Sequence, residues 1–322
     1  MARAVNAYYA THDPFGLAGD FTTAPEISQG FGECLGLWAA VVWQQLGAPV
    51  PVLLVELGPG RGTLMSDALR AVAEMVPAFR AALRVHLVET SPLLRAIQRD
   101  KVADAVWHDS IDDLPGGPAI IIGNELLDAL PIRQFIRRDE AWSERWVRAG
   151  GFVEQPGHHP SLPATAPEGA IQEVCEPALA MAVAMARRFA TQSGAALLLD
   201  YGPAQSGFGD SLQALGGGQG RADPLAALGS VDLTAHVDFA ALARAAGQAG
   251  ATAHGPLPMG LFLQRLGLMS RAAMLASANP ARARSILAGA QRLVAPEAMG
   301  QLFKALCLCH AGLPTPPGFE AA

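Results

Sequence analysis

The chain has 322 residues, 51% of them hydrophobic and 16% charged, with 29 acidic against 23 basic side chains and a formal net charge of −6. This content suits a packed core of one large domain or two small ones, and it lacks the basic surplus that would hold a phosphate backbone, which disfavours general nucleic-acid binding. The four cysteines, Cys34, Cys175, Cys307 and Cys309, form neither a Cys-x-x-Cys pair nor a regular framework, which argues against a structural zinc and suits a reducing compartment.

Residues 1–50 read as a segment ahead of the core. Strands are predicted at Val52–Leu57, Val85–Glu89, Ala105–His108, Ala119–Ile122 and Ala195–Asp200, with a helix from about Thr63 to Val76 behind the first. Near-continuous apolar content in the last two strands predicts burial on both faces. The core halves are 51–133 and 195–255, separated by an insertion over 134–194. Within that insertion Gln134–Val147 reads as an added antiparallel hairpin and Gln155–Gly169, rich in Pro, Gly and His, as a loop. Gly202–Gly229, with Gly216-Gly217-Gly218-Gln219-Gly220, is expected to be a mobile connection able to act as a lid. A helical insertion follows at 258–298, and 299–322 reads as a strand and tail, with Leu302–Cys309 as an edge strand. Strands alternating with helices predict a single α/β domain with a mostly parallel, helix-flanked sheet.

The loop Glu56-Leu57-Gly58-Pro59-Gly60-Arg61-Gly62 follows an apolar strand and precedes a helix that opens at Thr63. Glycines there let the backbone approach a ligand where side chains would collide. Dinucleotide enzymes use G-x-G-x-x-G, whereas the spacing here is G-x-G-x-G with Glu56 two residues before the first glycine. A carboxylate at that place favours the sulfonium and ammonium of S-adenosylmethionine and repels the pyrophosphate of NAD. Glu89, ending the second strand, suits the ribose hydroxyls. Asp109 is a positional candidate for the adenine amino group, or else it caps a turn. Without these links the loop would be only a tight strand-to-helix turn.

Further stretches are distinctive: Gly19-Asp20-Phe21-Thr22-Thr23-Ala24-Pro25-Glu26-Ile27-Ser28 with Phe31-Gly32-Glu33, Asn124-Glu125-Leu126-Leu127-Asp128-Ala129-Leu130-Pro131, Asp200-Tyr201-Gly202, Asp232–Phe239, Gly300–Lys304 and Pro317-Gly318-Phe319. With the glycine loop they resemble the MidA-like family of class I methyltransferases over nearly the whole chain. The resemblance implies a Rossmann-like core with a seven-strand, mostly parallel sheet, an N-terminal segment and helical and hairpin insertions. It also implies S-adenosylmethionine as cofactor and protein arginine methylation. Mitochondrial members are complex I assembly factors credited with dimethylating an arginine on a subunit of that enzyme, which suggests a respiratory complex I subunit as partner here. This chain departs from the family pattern in beginning close to Tyr8-Tyr9, so that the preceding helix is expected to be short or absent. It also carries Gly216–Gly220 where the family shows a basic residue and a histidine, and Met259 where Gln is common. These departures bear on substrate recognition more than on the cofactor.

Methyl transfer to nitrogen asks the protein mainly to position the nucleophile and remove its proton. Asn124, Glu125 and Asp128 follow the fourth strand at the carboxyl edge of the sheet. If Glu125 begins a helical turn, Asp128 faces the same side three residues on, and the two form a clamp for a guanidinium with Asn124 near the methyl group. The other reading of the trio is a helix N-cap. Gly19, Thr22 and Pro25 are expected to cover the cofactor, and Asp20 and Glu26 to contact the acceptor. Asp200-Tyr201-Gly202 and His236 are candidates at the pocket edge, His236 either as a base or as a satisfied structural residue. No His, Cys or Asp spacing suggests a metal. Two other functions stand beside the enzyme: an NAD(P)-dependent oxidoreductase, and a non-catalytic assembly factor on a methyltransferase fold. No apolar run approaches the roughly 20 residues of a membrane span, and the first residues lack secretory or transit-peptide character, so the expected location is cytoplasmic.

Overall fold

The computed structural model describes residues 1–11, 22–215, 223–225 and 228–321. Its helices are α1 (Ala2–Thr11), α2 (Ala24–Ile27), α3 (Gln29–Gln45), α4 (Thr63–Met75), α5 (Pro77–Ala82), α6 (Pro92–Lys101), α7 (Glu176–Thr191), α8 (Phe239–Gln248), α9 (Met259–Arg265), α10 (Leu268–Ala278) and α11 (Ala283–Val294). Its strands are β1 (Val52–Leu57), β2 (Leu83–Val88), β3 (Val106–His108), β4 (Ala119–Asn124), β5 (Arg133–Arg138), β6 (Ala141–Arg148), β7 (Gly151–Pro156), β8 (Ile171–Val174), β9 (Gly194–Tyr201), β10 (Gln213–Leu215), β11 (Asp232–Thr234), β12 (Thr252–Pro258) and β13 (Phe303–Cys309).

Seven strands form the central sheet in the order β12-β13-β9-β4-β1-β2-β3. The run from β3 to β9 is parallel, and β13 is reversed against both β9 and β12. β1 and β4 are buried at every position, as apolar strands covered on both faces must be. On one face Leu54, Ile120 and Leu197 pack with Trp38, Phe79, Phe262 and Leu293 from α3, α5, α9 and α11. On the other, Val55, Ile121 and Leu198 pack with Phe189 of α7 and Phe239 of α8. Chain order reverses between β1, which leads outward to β2 and β3, and β4, which starts the opposite side. A crevice at the carboxyl ends of the strands beside such a reversal is where open α/β sheets bind ligands.

Several expectations need correction. Leu302–Cys309 is not an edge strand: β13 lies between β12 and β9, and all seven of its residues are buried. The edge is taken by β12, whose Pro256 and Pro258 cannot donate to a further ladder. The predicted hairpin is the middle of a four-stranded antiparallel sheet, β7-β6-β5-β8. Its outer strands escaped notice because β7 runs into the Pro-rich loop and β8 is only four residues long. The helix expected to be short or absent at the N-terminus is present as α1, and its Tyr8 is fully buried. Part of the presumed lid is regular structure, since β10 pairs with β11; Gly216–Gly220 lie outside the described residues.

Candidate active site

Immediately after β1 the backbone enters the left-handed region at Gly58, Gly60 and Gly62, with φ of 59°, 52° and 74°. Side chains resist this region because Cβ crowds the following carbonyl. The turn lets Gly58 N–H donate to Val88 O at 3.0 Å and Gly62 N–H to Pro59 O at 2.7 Å, and α4 starts at the next residue. Space is as restrictive as φ at the first glycine: a Cβ on Gly58 would sit 2.8 Å from Leu126 Cδ1. The glycine loop is therefore pressed against the turn that leaves β4.

A cleft of about 380 Å³ opens over this junction. One wall is Glu56 with the loop residues Gly58, Pro59, Gly60 and Arg61, then Thr63 and Leu64. The second is Thr23, Pro25 and Glu26, and the third is Asn124 and Glu125. Glu56 is 3% exposed, and its Oε2 has no hydrogen-bond partner among the described residues. Burial, together with the nearby charge of Glu89, pushes its carboxyl up to about 8 against a restraining backbone hydrogen bond from Met65. Asn124 is 8% exposed, with Oδ1 likewise unpartnered among those residues, while its Nδ2 donates to Glu125 Oε1 at 3.1 Å. The same Glu125 oxygen accepts Ala24 N–H at 2.7 Å, and burial raises the Glu125 carboxyl above the usual range. Glu26 Oε1 accepts from Thr63 Oγ1 at 2.5 Å, and Lys101 Nζ donates to that hydroxyl at 2.7 Å. These bonds tie the 23–28 segment to both the turn after β4 and the helix that follows the glycine loop.

Glu89 stands nearby, accepting from Ser91 N–H at 2.8 Å and from Gln98 Nε2 at 3.3 Å. Gln98 was not anticipated. Fully buried on α6, it also donates to Gly60 O at 2.8 Å and accepts from Trp107 Nε1 at 2.8 Å, joining the glycine loop to the second acidic residue. The signal in sequence was a polar residue four positions after the buried Leu94, on the helix face that turns inward.

Other candidates are placed elsewhere. Asp109 is not among the residues lining the cleft; its side chain is 78% exposed and pairs with Arg95 at 2.7 Å. The capping role that was its alternative falls to Ser110, which forms a capping box with Asp113. Glu125 does not begin a helical turn, having φ of 49°, and the one-turn helix that follows is Leu127–Ala129. The two carboxylates consequently do not share a helical face. Glu125 lines the cleft, whereas Asp128 is not among its lining residues, and burial and the charges of Asp200, Asp232 and Glu125 hold its carboxyl well above the ordinary range. Asp200, expected at a pocket edge, has no exposed surface.

Tyr201 bonds to Thr234 Oγ1 and accepts from Gln213 Nε2 at 3.3 Å, and its ring meets the edge of His236 at 5.5 Å between centroids. His236 lines a second cavity, with Ile132, Glu173, Cys175 and Asp238, between the added sheet and the core. Thr23, rather than Thr22, is among the residues lining the first cleft. Gly19 and Asp20 lie outside the described residues. Glu33 is a buried ion-pair centre, bonded to Arg70, Arg271 and Gln29.

Residues 34–257 match the family described as "Putative S-adenosyl-L-methionine-dependent methyltransferase". Protein arginine methyltransferase NDUFAF7, mitochondrial, of Danio rerio is 35% identical across 94% of this chain and 80% of its own length. Its Homo sapiens counterpart is 32% identical across 96% and 77%. Among solved structures, a superfamily member from Burkholderia thailandensis bound to S-adenosylhomocysteine superposes with a TM-score of 0.81 at 26% identity, covering 100% of this chain and 88% of that one. The fold and cleft thus define a Rossmann-like, S-adenosylmethionine-dependent methyltransferase, an enzyme rather than an NAD(P) oxidoreductase. The chain belongs to the family of S-adenosyl-L-methionine-dependent methyltransferases that its residues 34–257 match. The expected cytoplasmic location is overturned by these relatives, which are named mitochondrial. Among the described residues no helix is long and apolar enough to cross a membrane.

Proposed function

We propose that this enzyme methylates the side chain of a protein arginine, with a respiratory complex I subunit as the acceptor protein. The observation that carries the reading is the Glu125 carboxylate, bonded to Asn124 Nδ2, beside an Asn124 Oδ1 that has no partner among the described residues, in one cleft with the glycine loop. A carboxylate beside a carboxamide oxygen at the carboxyl edge of the sheet suits a planar cation rich in N–H donors. The names of the curated relatives support arginine as the acceptor, and the MidA-like resemblance supports the complex I subunit.

Bound S-adenosylmethionine supplies a methyl group on a sulfonium, and the residues of this chain do the positioning. Glu56 would face the cationic end of the cofactor, Gly58, Pro59, Gly60, Gly62 and Thr63 would cradle it, Glu89 would take the ribose, and Pro25 would cover it. Glu125 and Asn124 would hold and orient the guanidinium, and Glu125 would take the proton that the methylated nitrogen loses. Incubating purified enzyme and tritiated S-adenosylmethionine with lysate of a deletion strain should yield methylarginine in a protein band. Glu125→Gln should cut that signal by about 100-fold or more and leave S-adenosylhomocysteine affinity within about threefold. Label appearing in lysine or in small molecules instead would refute the arginine assignment.

Cofactor binding should also carry a pH signature from Glu56. With its carboxyl near 8 in the free protein, the group is mostly protonated at neutral pH, and the arriving cation favours the carboxylate. Binding therefore releases protons, and affinity climbs as pH rises toward 8. Calorimetry of S-adenosylmethionine in two buffers of different ionisation enthalpy should show net release at pH 7 that Glu56→Gln removes. Equal release from both proteins would place the proton elsewhere.

A further inference from the structure

We infer that Asp200 is a positioning residue for methyl transfer: its carboxylate holds the Glu125–Asp128 turn in the shape that aims Glu125 into the cleft and sets Leu126 against the glycine loop. Asp200 ends the buried part of β9 with no exposed surface. Its Oδ2 accepts the N–H groups of Leu126, Leu127 and Asp128 at 3.1, 2.8 and 3.3 Å, and its Oδ1 accepts that of Tyr201 at 2.9 Å. Three successive amides converge on one oxygen because Glu125 is left-handed and the residues after it turn right-handed, the geometry of a backbone nest for an anion. A non-glycine residue in that region is disfavoured, so the turn needs a counterweight, and the Asp200 carboxylate with its four N–H bonds supplies one. The adjacent strand adds a further bond, Glu125 N–H to Leu199 O at 2.9 Å.

The turn held in this way is shared by two functions. Its first residue presents the carboxylate that meets Asn124 and Ala24 in the cleft. Its second, Leu126, occupies the space a Gly58 side chain would need. If the nest loosens, both the acceptor ligand and one wall of the cofactor loop shift together. An amide in place of the carboxylate keeps one acceptor oxygen, carries no charge and must set its NH₂ against either the turn amides or Tyr201 N–H, so Asp200→Asn weakens the anchor while keeping the volume.

The catalytic half of this inference rests on the reading of Glu125 as acceptor ligand; the geometric half does not. In D200N, hydrogen exchange at Leu126, Leu127, Asp128 and Ala24 should speed up at least tenfold. The rate of methyl transfer at saturating S-adenosylmethionine should fall by 100-fold or more, while S-adenosylhomocysteine affinity falls by less than tenfold. A folded D200N that transfers methyl within threefold of the wild-type rate, or keeps the four amides protected, overturns the proposal. Should D200N not fold, D200S keeps one acceptor oxygen and is read by the same criteria. In the wild type, the three nest amides must exchange as slowly as those of β9, and exchange at an exposed-loop rate also overturns it. A wild-type enzyme that methylates something other than arginine sinks the acceptor reading alone, because the rate loss in D200N is then measured on that other acceptor.

Discussion

Gly58→Val should abolish cofactor binding, lowering S-adenosylhomocysteine affinity by at least 100-fold in calorimetric titration. Two independent costs fall on this position. Its φ of 59° is left-handed, which a side chain tolerates only at about 1–2 kcal/mol. Its Cβ would meet Leu126 Cδ1 at 2.8 Å, an overpacking that typically costs about 1–3 kcal/mol. The loop can relieve both only by moving away from Leu126, which displaces the backbone that we propose approaches the cofactor. Since about 1.4 kcal/mol corresponds to a tenfold change in affinity, Gly58→Ala should already lose about tenfold. Wild-type affinity in a folded Gly58→Val protein would show that the loop is not the cofactor cradle.

Glu33→Ala should be the most destabilising single change in the helical layer, at about 3 kcal/mol by urea unfolding, in the range for removing one partner from a buried ion pair. Glu33 is 1% exposed and accepts from Arg271 Nε at 2.6 Å, Arg70 Nη2 at 2.7 Å and Gln29 Nε2 at 2.8 Å. These contacts join α3 to α4 and α10. Arg70 is half exposed, so water screens its share, and Arg271, at 19% exposure, is the partner left most costly when the carboxylate goes. Burial works against the charged form of Glu33, but the hydrogen bonds from Arg271, Gln29 and Arg70 outweigh it and hold the carboxyl below its ordinary value. A depressed folded value means that the stabilisation is complete above the unfolded value of about 4.3 and disappears as pH falls through the folded one. Wild-type stability should thus drop more steeply than that of Glu33→Gln on acidification. Parallel pH profiles for the two proteins would remove Glu33 from that role.

Much of the cofactor side was readable in the chain because its chemistry is local. An apolar run, a G-x-G-x-G turn and a following helix lie within about twenty consecutive residues, and β1 has the bounds its apolar run predicts. Where a local rule was extended to a through-space relation, it failed. Glu125 and Asp128 look like helical neighbours by spacing, but a left-handed Glu125 keeps them off a common helical face, and only Glu125 is among the residues lining the cleft. Leu302–Cys309 looks like an edge by its place near the end of the chain, but its unbroken apolar content is what an interior strand needs. Gln98 and Asp200 were undervalued for one reason: each acts on backbone atoms far away in sequence, Gly60 O in the first case and the amides of Leu126, Leu127 and Asp128 in the second. Backbone partners leave no residue-type signature.

The sequence by itself determined the class of fold, the glycine loop and the cofactor, because hydrophobic periodicity and glycine spacing act over a few residues and carry their physics with them. Only the tertiary structure decided which carboxylates face the cleft and which are buried behind it. Strand order brings Ala24, Glu125 and the Gly58 loop together, and desolvation then raises the carboxyls of Glu56 and Glu125 above their usual range while the arginines around Glu33 hold that one below it. Those distances and that exclusion of water exist only once the chain has closed on itself.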